Sequence, residues 1–240
     1  MSEIRRYPDA NRLAHGAAEL FIALSKPAIA EQGRFTVALS GGSTPKALFN
    51  LLAHEPYASQ IEWSHVHIFW GDERCVPPDH PDSNYRMARE TLLQYVPLLP
   101  ENIHPMHGDI DPAQASAEYE QQLRIFFGNS LPEFDLILLG MGDDGHTASL
   151  FPGTAAVHEQ NRWVIGHFVE KLDTWRLTLT PPALNAATNV AFLVAGQAKA
   201  ERLHEVLKGL YQPDVLPAQI IQPTAGHLFW MVDEEAASLL

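Results

Sequence analysis

Residues 34–52 read RFTVALSGGSTPKALFNLL, and the reading of this stretch decides the fold. RFTVALS is a short run of β-formers, and the chain from Pro45 to about His54 reads as a helix with proline at its first position, where a missing N–H does no harm. Between them lie Ser40, Gly41, Gly42, Ser43 and Thr44. Two adjacent glycines are costly in backbone entropy, so the shape they permit is expected to be used. A Gly-Gly turn entering a helix exposes backbone N–H groups at the positive end of the helix dipole. The hydroxyls of Ser43 and Thr44 add donors, and together they would make a phosphate or carboxylate cradle. The alternative is a plain tight turn in which Ser43 or Thr44 caps the helix. Neither G-x-x-x-x-G-K-[ST] nor G-x-G-x-x-G is present.

Outward from this unit, strand-like and helix-like segments alternate. A helix is expected from about 10 to 30, with Asp9 as N-cap and Leu13, Ala17, Leu20, Phe21 and Leu24 at helical spacing. HVHIFWGDE (65–73) is a strand candidate, followed by a proline-rich loop and a helix near Ser83 to Tyr95. Asp111 and Pro112 open a helix running to about Phe127. FDLILLGMG (134–142) is continuously apolar, as in a strand buried on both faces. WVIGHFV, WRLTLT and NVAFLVAG supply three more strands, and a helix from about Ala198 to Leu207 follows the last. The alternation predicts a three-layer α/β sandwich with a largely parallel, Rossmann-like sheet. No repeat, low-complexity tract or linker divides the chain, so residues 1–240 are expected to form a single domain.

Composition limits the function. At 240 residues and 46% hydrophobic content the chain can bury a substantial core. Lys+Arg 16 against Asp+Glu 29 gives a net charge of -13, which removes the non-specific attraction to nucleic acid and to anionic membranes. A basic pocket inside an acidic shell could still take a small anionic substrate. Cys75 is the only cysteine, so no internal disulfide and no thiolate zinc site can form. MSEIRRYPDANRLAH lacks the apolar core of a secretory signal, and no apolar run approaches 18 residues; a cytoplasmic setting is expected. Twelve histidines invite a metal, but there is no H-E-x-x-H, and HVH (65–67), with both rings on one strand face, has no evident carboxylate partner. No metal and no cofactor are expected.

In open parallel sheets, ligands bind beyond the carboxyl ends of the strands. Four strand-like runs here end in polar or glycine-rich segments: SGGSTP, GDER, GMGDDGHT and AGQAK. In the third, glycines keep the backbone thin around His146, a natural general base near neutral pH, which Asp143 or Asp144 could orient. In the second, Arg74 could clamp a phosphate or an oxyanion and Asp72 could meet a hydroxyl; a mutual surface ion pair is the plainer alternative. Lys199 falls in the first turn of its helix, where the dipole disfavours a cation unless an anion lies between. Arg176 could reach the same rim or face outward. A rival reading makes ALSGG (38–42) a nucleophile elbow with Ser40 as nucleophile. Asp144 and His146 follow in the right chain order but stand two residues apart, whereas that fold takes its acid and histidine from separate loops.

Taken together, SGGSTP, GDERCVP…DSNYRMA, GMGDDGHTASLFPG, RLTLTPPALN and AGQAKA resemble, in order, the landmarks of the 6-phosphogluconolactonase family. With PAQIIQPTAGHLFWMVD they cover nearly the whole chain. The resemblance implies a parallel-sheet sandwich shared with glucosamine-6-phosphate deaminases and ribose-5-phosphate isomerases. It also implies metal-free hydrolysis of 6-phosphoglucono-1,5-lactone to 6-phosphogluconate in the pentose phosphate pathway. By the same resemblance His146 is the base, and Gly41, Gly42, Ser43, Thr44, Arg74, Asp144, Arg176 and Lys199 surround the substrate, with Asp72 and Arg74 assisting. Asp143 departs from the related motif, which often has proline there. The deaminases carry a Glu five residues after the histidine; this chain has Phe151, which favours a hydrolase over an isomerase. A sugar-phosphate sensor without catalysis is a third reading, and it requires His146 to be dispensable. The expected partner is a sugar-phosphate lactone, with the chain a monomer or weak homodimer.

Overall fold

The computed structural model describes residues 2–240. A first strand, β1 (Ser2–Tyr7), leads into α1 (Ala10–Gln32), which is capped by Asp9 accepting from the N–H of Arg12 at 2.7 Å. Such a cap contributes about 1 kcal/mol. The helix stops at Gly33, whose φ of 74° is open to glycine, and whose N–H closes the last turn on Ile29. Then come β2 (Phe35–Leu39) and α2 (Ser43–Leu52), β3 (Val66–Trp70), β4 (Asp72–Arg74), α3 (Asn84–Ala88) and α4 (Pro112–Phe127). The remainder is β5 (Leu136–Leu139), β6 (Val164–Val169), β7 (Thr174–Leu179), α5 (Pro181–Asn185), β8 (Asn189–Val194), α6 (Ala200–Lys208) and β9 (His227–Asp233).

Six strands form one sheet in the order β1-β9-β8-β5-β2-β3, every neighbouring pair parallel. Its inner strands β2, β5 and β8 are buried at every residue, which is why they read as unbroken apolar runs. Helix α1 packs on α2 and across β1, β2 and β9, while α4 packs against β6 and β7. The Tyr119 hydroxyl of α4 accepts from the Trp70 N–H at the end of β3, tying that helix to the large sheet as well. Each large apolar side chain in this core, Phe21, Phe35, Phe49 and Trp70 among them, contributes roughly 1.5–3 kcal/mol on burial.

The parallel α/β architecture agrees with the sequence, but several boundaries move. HVHIFWGDE is not one strand. It breaks at Gly71, whose N–H donates to Leu39 O in the large sheet and whose carbonyl accepts from Leu179 N in a second sheet. Asp72 and Arg74 therefore sit on a strand, not in a loop. That second sheet, β4-β7-β6, is antiparallel and takes the segments WVIGHFV and WRLTLT away from the parallel sheet. Helix α2 begins at Ser43, so Pro45 is its third residue. The helix near Ser83 is α3, capped by Ser83 and continuing as a π-helical turn over Arg89–Leu93. Lys199 ends a 3-10 turn and stands just before α6 instead of inside it. His65 lies in the 3-10 turn Trp63–His65, off the strand that carries His67. The edge pair β1 and β9, which joins the two chain ends, was not anticipated as strands.

Candidate active site

After β2 the chain runs outward to β3, whereas β5, β8 and β9 extend the sheet the other way. The crevice beyond β2 and β5 is therefore the topological switch point, where open α/β sheets bind ligands. A cleft of about 280 Å³ lies there, near the lower end of small-molecule sites. The turn after β2 supplies Ser40 to Pro45, the loop after β5 supplies His146, β4 supplies Asp72 and Arg74, and the segment after β8 supplies Lys199. Three loops and the short strand β4, remote from one another in sequence, converge because β3, β2, β5 and β8 are adjacent.

Gly42 caps α2 with φ 107°, a backbone setting that other residues rarely adopt, and it has no side chain to cap the helix. The first N–H to close an intrahelical bond is that of Lys46, onto Gly42 O. The preceding first-turn residues Ser43 and Thr44 border the cleft. An uncapped helix start facing a cleft is a ready anion site.

The loop after β5 holds His146 by several contacts. Its Nδ1 lies 2.5 Å from Asp144 Oδ1, and since a carboxylate only accepts, Nδ1 carries a proton and Nε2 is the nitrogen that bears the lone pair in the neutral ring. Asp144 Oδ2 accepts from Lys171 Nζ at 2.6 Å. Burial pushes the Asp144 carboxyl up, but the hydrogen bonds from His146 and Lys171 outweigh it and hold the group well below the usual carboxylate range. The ring stacks on Phe151 with centroids 4.1 Å apart. A Cβ on Gly142 would fall 2.1 Å from His146 Nδ1, so only glycine leaves room for the ring. The loop is pinned by Thr147 Oγ1 donating to Gly140 O, and it carries Ala148 at φ 46°, a setting of real strain for a non-glycine residue.

Across the cleft, Asp72 is buried; its Oδ2 accepts from Ser149 Oγ at 2.7 Å, and Asn84 Nδ2 lies 3.4 Å from Oδ1. Arg74 donates from Nη1 to Asp82 O at 2.6 Å, while its buried Nε has no partner among the described residues. Glu73 points away from this chemistry: its buried carboxylate accepts from the N–H groups of Arg74, Asn84 and Tyr85, tying β4 to the start of α3. Burial pushes its carboxyl up against those bonds. Lys199 pairs with Asp143, which supplies the anion that its place before α6 calls for. The segment carrying it is anchored by Gly196 N–H donating to the Asp233 carboxylate.

Two sequence candidates lie outside the cleft lining. Asp144 stands behind His146. Arg176 sits on β7 in direct register with Arg74, where Nη1 donates to Thr174 Oγ1 and to the Trp175 carbonyl. Burial and the neighbouring Arg74 charge lower the Arg176 pKa from its ordinary value. Ser40 borders the cleft with its hydroxyl buried and unbonded among the described residues, and its φ is not positive, unlike the strained turn of a nucleophile elbow. Cys75 follows Arg74, and burial pushes its thiol up to about 11, so it is no nucleophile at neutral pH. No group of three or more His, Cys, Asp or Glu among the described residues is arranged to hold a metal ion. Sequence reasoning missed Lys171, Ser149 and Asn84, whose partners lie 27, 77 and 12 residues away and leave no local pattern.

A family model described as glucosamine-6-phosphate isomerases/6-phosphogluconolactonase matches residues 8–230. The 6-phosphogluconolactonase of Nostoc sp. is 44% identical over 238 residues, covering 97% of this chain and 96% of its own. That of Synechocystis sp. is 47% identical over 218 residues, covering 89% of this chain and 88% of its own. Among solved structures, 6-phosphogluconolactonase from Trypanosoma cruzi superposes with a TM-score of 0.90 at 29% identity, covering 100% of this chain and 97% of that one.

Proposed function

Because the chain belongs to the glucosamine-6-phosphate isomerase/6-phosphogluconolactonase family, we propose that its cleft hydrolyses 6-phosphoglucono-1,5-lactone to 6-phosphogluconate with His146 as general base. One observation carries the reading. His146, its Nδ1 committed to Asp144, shares a single cleft with the uncapped start of α2, Arg74 and Lys199. That combination puts a base and an anion cradle within reach of one small substrate, despite a net charge of -13.

A lactone carbonyl is already electrophilic, so the work is to position water and absorb charge. His146 Nε2 takes a proton from water as its oxygen bonds to C1, and the carbonyl becomes a tetrahedral oxyanion. When that intermediate collapses, the C1–ring oxygen bond breaks and the proton passes from Nε2 to the leaving oxygen. The Arg74 guanidinium, which lines the cleft, is a donor group suited to the oxyanion or the phosphate. Gly41, Gly42, Ser43, Thr44 and Lys199 hold the phosphate, whose binding orients a carbon it does not touch. Asp72, fixed by Ser149 and Asn84, accepts from a sugar hydroxyl, and Arg176 backs Arg74 from the next strand.

The deaminase alternative needs a second proton-handling group. The position in question holds Phe151, which stacks on the base and cannot carry a proton. The test is hydrolysis of freshly made 6-phosphogluconolactone, measured as acid release above the spontaneous rate, alongside ammonia release from glucosamine 6-phosphate. The first is expected and the second is not; the reverse result would move the chain to the isomerase branch.

A further inference from the structure

We propose that Lys171, on the turn between β6 and β7, is a positioning residue for His146, acting through Asp144. Lys171 lies 25 positions beyond His146 in the chain, in a segment with no recognisable motif. The hairpin nevertheless brings its Nζ to 2.6 Å from Asp144 Oδ2, while Oδ1 of the same carboxylate faces His146 Nδ1 at 2.5 Å. The two oxygens are thus divided between two cations or potential cations. Lys171 is largely exposed, whereas Asp144 is only 20% exposed, so the lysine reaches in from the rim to a sheltered carboxylate. Without it, Asp144 could rotate about its side-chain bonds and present either oxygen to the imidazole. With it, Oδ2 is engaged and the ring is held with Nε2 towards the cleft.

The lysine also sets how strongly the carboxylate favours an imidazolium, because its charge offsets that of Asp144. Other charged or titratable groups surround the pair. Asp143 is on the same loop; His167 and Glu170 flank the neighbouring cavity with Lys171; Asp72 and Arg74 come from β4; Lys199 and Arg202 come from the α6 side. Among the described residues, only His146 and Lys171 bond to Asp144 through their side chains. Replacing Lys171 by a neutral residue therefore removes one positive charge near the imidazole and leaves the remaining groups in place.

This inference rests on His146 being the base, so its test includes a readout that does not require turnover. In Lys171→Met and Lys171→Gln, the NMR titration midpoint of the His146 imidazole is expected to rise by about 0.5–1 pH unit, from loss of a unit charge a few ångströms away in a high-dielectric setting. On the lactone, kcat is expected to fall by about 3–10-fold with KM changed less than about 2-fold, since a positioning contact acts on the reacting geometry and not on phosphate binding. The acidic limb of the kcat profile should move up with the titration, and Lys171→Arg should restore both. A His146 midpoint that stays where it is in both neutral variants, with kcat intact, would overturn the proposal while leaving the base assignment standing. Loss of lactone turnover in neither the Lys171 nor the His146 variants would instead overturn the base assignment itself.

Discussion

Two histidines in this molecule have opposite surroundings. His146 stands in a cleft, with a carboxylate on Nδ1, an aromatic ring on one face and no partner for Nε2 among the described residues. His104 is buried, its ring stacked on Phe69 at 4.2 Å, with Nε2 3.2 Å from His67 Nδ1 and Nδ1 3.1 Å from Gln122. Burial, and then the neighbouring His67, push the His104 pKa down to about 4, and burial lowers His67 as well. An imidazole becomes a usable base when an ionised partner and solvent can both reach it. Enclosed among rings without a carboxylate, it is a neutral packing element whose protonation is a liability.

The sharpest way to break this contrast is to delete the cleft base. His146→Asn should lower kcat on the lactone by about 10²–10⁴-fold in a correctly folded protein, the usual worth of a positioned acid–base group. Near-complete activity in that variant would leave the cleft as a binding site alone.

The next largest effect concerns the cation on the other rim. Lys199→Ala should weaken kcat/KM by roughly 10–100-fold, because a charge-assisted contact to phosphate is typically worth about 1.5–3 kcal/mol. Unphosphorylated gluconolactone should be nearly indifferent to the change. Equal losses on both lactones would put Lys199 at the reacting carbon. Since Asp143 occupies Lys199 in this structure, Asp143→Asn should lower KM for the phosphorylated substrate only.

The buried histidines should show themselves in stability, not in rate. The folded pKa of His104 lies below the ordinary 6.5, so the unfolded chain takes up the proton first as pH falls. Its contribution is therefore complete above about pH 6.5 and drains as pH falls towards about 4, amounting to about 1–3 kcal/mol. His104→Phe should flatten the acid slope of urea unfolding between pH 7.5 and 5 while leaving turnover at pH 7.5 within about twofold. An unchanged slope would mean that the ring is hydrated in the folded state. The smallest effect is expected at Ser40: Ser40→Ala should retain turnover, and acylating serine reagents should not label the protein stoichiometrically. A stoichiometric adduct at Ser40 with loss of activity would restore the nucleophile-elbow reading.

How much of this was legible beforehand depends on the range of the interaction. Asp9, Ser83 and Asp111 cap their helices through the N–H of a residue two or three positions on, so local pattern revealed those starts. The runs 35–39 and 136–139 announced themselves because a strand buried on both faces must be apolar throughout. The same logic hid β1, which is an edge strand with mixed polarity, and it could not show that the chain changes sheets at Gly71. At the cleft, the Gly-Gly turn, Arg74, His146 and Lys199 were visible as strand-end motifs. The link from Lys171 to Asp144 and the register of Arg176 beside Arg74 were not, because each joins segments that share no local constraint.

From the sequence by itself came the alternation of strands and helices, the acidic surface, the lone cysteine and the four polar strand ends. These are properties of composition and of periods of one helical turn or two strand residues. Only the tertiary structure decided which strand ends are neighbours, which of the twelve histidines meets a carboxylate in a cleft, and which anion Lys199 holds. Those outcomes depend on strand order and on hydrogen bonds a few ångströms long between residues far apart in the chain, and no local stretch of sequence encodes such distances.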